Sequence, residues 1–106
     1  MSLKEKILIA DDSEMNQMLL EEILSDKYEY VMAKDGTEAV DILEKNDDID
    51  LVMLDINMPK MDGFGVLEIM NLRHWISEVP VIIISSESDV DFIRRGYDLG
   101  ASDYIS

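Results

Sequence analysis

Four side chains at the ends of apolar runs could do chemistry together. "KILIA" leads directly into Asp11 and Asp12, "DLVML" into Asp55, and "VPVIII" into Ser85. Clustered carboxylates repel: at about 5 Å and an effective dielectric of about 20, each like-charged pair costs on the order of 3 kcal/mol. A raised pKa or a bound cation relieves that repulsion. Oxygen ligands with no His or Cys beside them select a hard cation, Mg²⁺ before Ca²⁺. An aspartate held beside Mg²⁺ can attack a phosphoryl group and form an acyl phosphate, with nearby donors offsetting charge on the phosphoryl oxygens. Each residue alone has an ordinary structural use. Asp11-Asp12 can cap a helix, Asp55 and Ser85 can end strands in turns, and "MPKMDG" can be a turn with Asp62 capping the next helix. Their joint placement at matching strand ends is what favours a site.

That placement needs a scaffold, and the rest of the chain supplies one. Residues 6–10 form a short apolar run that reads as a buried strand. Residues 13–24 repeat Met15, Leu19 and Ile23 at helical spacing, with Ser13 as N-cap. Residues 28–33 mix polar and apolar side chains as an edge strand would. Residues 35–45 read as a cap and turn, then a helix with Ala39, Ile42 and Leu43 inward. Residues 50–55 and 79–85 are apolar throughout their interiors, which predicts strands buried on both faces. Between them, 63–75 reads as a helix softened by two glycines at its start. Residues 88–100 place Val90, Ile93 and Tyr97 on one face with Gly100 as the cap, and "SDYIS" begins a fifth strand. Strands alternating with helices predict an α/β fold: a doubly wound, five-stranded parallel sheet covered on both faces. Ligands of such sheets sit beyond the carboxyl ends of the strands, where these four side chains fall.

Composition removes several function classes. A chain of 106 residues suits one domain, and the absence of cysteine excludes disulfides and thiolate metal sites. The net charge of −15 repels nucleic acid and anionic membranes, so direct DNA binding by this segment is disfavoured and a cation or a basic partner face is favoured. No apolar run approaches the length of a membrane span, and the N-terminal residues turn acidic too early for a signal peptide. The chain reads as soluble and cytoplasmic. His74 reads as a surface histidine, and the eight methionines as core filling.

Taken together, "ADDS", "LDINMPKMDG", "IIISSES" and "GASDYIS" closely resemble the receiver domain of two-component response regulators, over essentially the whole chain. The resemblance implies a flavodoxin-like strand order 2-1-3-4-5. It implies that Asp55 is the phosphoacceptor, that Asp11 and Asp12 place Mg²⁺, and that the backbone carbonyl of Asn57 is a further Mg²⁺ ligand. Pro59, Asp62 and Gly63 match the loop that shapes the exit from the third strand. Ser85 matches the switch hydroxyl and Tyr104 the switch aromatic. Ser86 stands where the family usually has alanine. The implied partners are a sensor histidine kinase or histidine phosphotransfer protein upstream and an output domain or downstream protein, addressed through the fourth helix and fifth strand. Arg94 and Arg95 lie on that helix as output-face or simply solvated residues.

The family's lysine, usually in a Lys-Pro pair, would fall at position 107, so the resemblance implies a receiver domain over 1–106 cut before that loop and before a fifth helix. The sheet face left open is expected to be covered by another chain, as in a dimer. Two rivals stand beside this reading. One is a receiver-like docking module that is never phosphorylated. The other is an aspartyl-phosphate hydrolase of the haloacid-dehalogenase type, which would want an acid where Asn57 stands. The leading reading is a regulatory phosphoacceptor that assists its own phosphoryl transfer and dephosphorylation, rather than an enzyme acting on other substrates.

Overall fold

The computed structural model describes residues 4–106. Five parallel strands lie in the order β2-β1-β3-β4-β5: β1 Lys6–Ala10, β2 Glu29–Ala33, β3 Leu51–Leu54, β4 Val81–Ile84 and β5 Asp103–Ile105. Four α-helices connect them: α1 Glu14–Leu24, α2 Gly36–Lys45, α3 Gly63–Leu72 and α4 Val90–Asp98. Each helix starts on the cap that its sequence offers. Ser13 accepts from the Asn16 amide, Asp35 from Glu38, Asp62 from Gly65 and Asp89 from Asp91. Gly100 follows α4 with φ +103°, a left-handed position that glycine adopts without steric cost. His74, exposed just beyond α3, also has positive φ.

Alternate residues of the strands face two unequal cores. On one face, Leu8, Ala10, Val52, Leu54, Val81 and Ile83 pack with Ala39 and Leu43 of α2 and with Phe64, Val66, Leu67 and Met70 of α3. Gly96 brings α4 onto the same face, against Ile83 and Tyr104. On the other face, Ile7, Ile9 and Met53 pack with Leu20 and Leu24 of α1. Among the described residues, α1 is the only helix whose side chains join that second core.

Several sequence expectations change here. Met15, Leu19 and Ile23 are helical, but they form an exposed stripe, as Met18 does, so these methionines do not fill the core. The side chains of α1 that meet the sheet are Leu20 and Leu24, both only partly buried. In α4, Val90 and Tyr97 are exposed and only Ile93 of the expected face is partly buried. Close packing falls instead to Gly96, because a side chain there would strike the Ile83 Cδ1 atom. Strand β4 is not buried on both faces: Val81 and Ile83 are, whereas Ile82 and Ile84 are half-buried on the side that α1 only partly covers.

Candidate functional site

The strand register assembles the site. Ala10 pairs with Leu54 across β1 and β3, so the next residues, Asp11 and Asp55, emerge side by side. The Asp55 amide donates to the Ala10 carbonyl (2.9 Å), which extends that register by one step. On the far side of β3, the Ser85 amide is held by the Ile105 carbonyl (3.0 Å). One carboxylate oxygen from each of Asp11, Asp12 and Asp55 can be chosen so that all three lie within 4.8 Å of one another. A groove of about 530 Å³ opens over them, lined also by Asn57, Ser85 and Ser86 and running along α1 past Leu19 and Ile23. Five of the six predicted site residues therefore share one groove. Tyr104 lies outside it, half-buried against Gly96, with its hydroxyl donating to the Glu87 carbonyl (2.9 Å).

Asp11 is fixed more firmly than its neighbours. It is 4% exposed, and its two oxygens accept from the Ser13 amide (2.9 Å) and the Asn16 side-chain amide (3.3 Å). Gln17 donates to the backbone carbonyls of Asp11 and Ala33 and ties the ends of β1 and β2 together. Asp12 stands exposed on the rim. Asp55 is half-buried and accepts a long bond from the Asn57 amide (3.4 Å). Burial and the neighbouring Asp11 carboxylate, with a smaller contribution from Asp12, push its pKa from 3.8 up to about 6. Gly63 closes the loop after β3, donating to the Ile56 carbonyl (2.8 Å). A Cβ there would sit 2.4 Å from the Asp55 carbonyl oxygen, so only glycine allows α3 to start this close to the acceptor strand.

Oxygen-only donors, mutual repulsion and a raised pKa are what a hard divalent cation would relieve, so the residues present fit Mg²⁺. The sequence reading missed the supporting shell. Asn16 and Gln17 orient Asp11 from the first turns of α1, and Glu87 receives Tyr104 through a backbone carbonyl. Two uncharged amides, Asn16 and Gln17, one turn after the Asp-Asp pair were the only available signal for the first, and a backbone acceptor leaves no signal.

The model of the response regulator receiver domain matches residues 7–106. The chain belongs to the response regulator receiver domain family. A probable transcriptional regulator, ycf27, of Porphyridium aerugineum is 43% identical over 103 residues, which cover 96% of this chain and 41% of that protein. The CpxR transcriptional regulatory protein of Escherichia coli K12 is 35% identical over 100 residues, or 93% of this chain and 40% of its own. This receiver domain thus spans about two fifths of the curated relatives that it matches. Among solved structures, the phosphorylated cyanobacterial phytochrome response regulator RcpA superposes with a TM-score of 0.89 at 31% identity, covering 97% of this chain and 80% of that one. As a receiver domain it is a regulatory module, and its fold is the flavodoxin-like arrangement that the motifs implied. None of its described helices is long and apolar enough to cross a membrane.

Proposed function

We propose that this receiver domain is a phosphoacceptor switch in which Asp55 takes a phosphoryl group from the phosphohistidine of a sensor histidine kinase or phosphotransfer protein. The observation that carries the reading is the triad of carboxylates within 4.8 Å at the mouth of a groove that reaches Ser85. A carboxylate oxygen of Asp55 attacks phosphorus, the P–N bond breaks, and the imidazole leaves with the bond's electron pair and takes up a proton. Asp11, Asp12 and Asp55, with the Asn57 carbonyl, would hold Mg²⁺, which offsets charge on the phosphoryl oxygens when bound. The phosphorylated state of the RcpA neighbour supports the same chemistry here.

The signal would leave through the β4–α4 loop. The Ser85 hydroxyl accepts from the Glu87 amide (3.1 Å), and the Tyr104 hydroxyl donates to the carbonyl of the same residue. A phosphoryl group that draws the Ser85 hydroxyl toward Asp55 frees the Glu87 amide and disturbs the anchor of Tyr104. The exposed α4–β5 surface, with Val90, Tyr97 and Ile105, is the face that would change for an output domain or downstream protein.

The test is labelling with phosphoramidate, a small P–N donor, in the presence of Mg²⁺ or EDTA, on this chain and on one extended past Ser106. One hydroxylamine-labile phosphoryl group that requires Mg²⁺ is expected. Absence of labelling in both lengths would favour a phosphorylation-independent docking module.

A further inference from the structure

The loop after β3, which carries Asn57, is pinned from an unexpected side. Besides the bond from Gly63 to Ile56, it is held by the start of α2. The Gly36 amide donates to the Met61 carbonyl (3.1 Å). A Cβ on Gly36 would lie 2.2 Å from that oxygen and 2.8 Å from the carbonyl carbon, atoms of backbone that cannot swing aside. Next to it, Asp35 is 6% exposed and divides its two oxygens. Its Oδ1 accepts from the Thr37 hydroxyl (2.6 Å) and the Glu38 amide (2.8 Å), while Oδ2 faces Lys60 Nζ at 3.7 Å. Lys60 itself sits at φ +68°, a left-handed conformation that costs a non-glycine residue roughly 1 kcal/mol or more and persists only where its surroundings impose it.

We propose that Asp35, Gly36 and Lys60 form a clasp that positions the Asn57 loop for a divalent cation, so that α2 sets the cation affinity of the acidic site. The inference rests on the cation reading above and deepens it. The three are positioning residues: none belongs to the carboxylate cluster, and they act through Met61 and the loop backbone. The pair is long at 3.7 Å and its lysine is exposed to solvent, so the charged half of the clasp gives a modest effect and the close backbone contact a larger one.

The sign of the effect separates a clasp from a simple field. If Lys60 and Asp35 acted only through space, Lys60→Met would tighten Mg²⁺ binding, Asp35→Asn would weaken it, and the double variant would return to wild type. A clasp predicts that both single variants weaken binding by about threefold, and that the double variant loses no more than either alone. Lys60→Arg, which keeps the charge, should stay within about twofold of wild type. Gly36→Ala should lose about tenfold or more wherever it retains its secondary structure, and the Lys60 and Asp35 variants decide the matter regardless of how it folds.

The experiment is titration of Mg²⁺ alone, followed by backbone amide shifts of Asp12, Asn57 and Met61, on wild type and these variants. Metal-free spectra should already show Asn57 and Met61 displaced in Lys60→Met. Parallel weakening with non-additivity supports the clasp. Wild-type affinity in all the charge variants, or tighter binding in Lys60→Met, would overturn it while leaving the cation site intact. A wild-type protein with no Mg²⁺-dependent shift at Asp12 and Asn57 would overturn both.

Discussion

Asp35 and Asp55 both follow the C-terminal ends of parallel strands, and their carboxylates meet opposite surroundings. Asp35 sits two residues past β2, capped by the Thr37 hydroxyl and the Glu38 amide, with Lys60 close by. Those two hydrogen bonds, with a smaller contribution from Lys60, hold its carboxyl below the ordinary range. Asp55 has one long backbone bond and two aspartates for neighbours, and its carboxyl is pushed up to about 6. One anion is satisfied by the protein itself. The other is left short of donors, as a group must be if it is to receive a cation and a phosphoryl group. Position at a strand end is common to both carboxylates; what sets them apart is the balance of donors around each.

The contrast can be broken most sharply by pH and by replacing each charge in turn. A pKa raised in the folded state means that the folded protein holds more protons than the unfolded chain between about 4 and about 6. Stability contributed by Asp55 is thus present below about pH 4, falls as pH rises toward about 6, and stays lost above it. The full shift corresponds to roughly 3 kcal/mol, and solvent screening of a half-buried carboxylate reduces this to about 1–2 kcal/mol. Asp55→Asn should therefore be more stable than wild type by about 1–2 kcal/mol at pH 7 and nearly equal to it at pH 4, as read from urea melts. Saturating Mg²⁺ should narrow the pH 7 difference by stabilising wild type.

Asp35 carries the opposite sign. Its lowered pKa gives stability that is present above the ordinary carboxylate range and lost as pH falls through the lowered value. Asp35→Ala should lower the melting temperature by about 5 °C at pH 7, with the gap closing in acid. A stabilised Asp35→Ala protein would erase the distinction between the two corners.

Two smaller effects sharpen it. Asp12→Ala removes a rim charge and a ligand position without touching a buried bond, so Mg²⁺ affinity should fall about tenfold with little change in metal-free stability. An unchanged affinity would place Asp12 outside the cation site. Ser85→Ala leaves the Glu87 amide without its acceptor and should cost about 1 kcal/mol or less. Labelling should persist in that variant, while the phosphorylation-dependent change at Tyr104, followed by its ring resonances, should shrink. A full Tyr104 response would remove Ser85 from the relay.

Much of this could be read from the chain. Apolar runs alternating with stretches of helical spacing gave five strands and four helices, and the shared position of Asp11, Asp12, Asp55 and Ser85 at strand ends was visible because it follows from the same local pattern. Strand order did not follow from spacing; it came with the resemblance. Burial on α1 was the least legible feature. The recurrence of Met15, Leu19 and Ile23 establishes that a face exists, but not that anything lies against it, and in the structure Leu20 and Leu24 meet the sheet instead. Similarly, Val90 and Tyr97 mark a helix whose contact with the sheet is made by Gly96, a residue with no side chain to count. The Asp35–Lys60 pair joins residues 25 apart, and the bond to the Glu87 carbonyl uses no side chain of Glu87, so neither leaves a pattern in the sequence.

The central claim is that Asp55 is the acceptor. Acetyl phosphate and Mg²⁺ should add a single phosphoryl group to the receiver domain, as read by intact-mass spectrometry, and Asp55→Asn should add none. Equal labelling of wild type and Asp55→Asn would contradict the account.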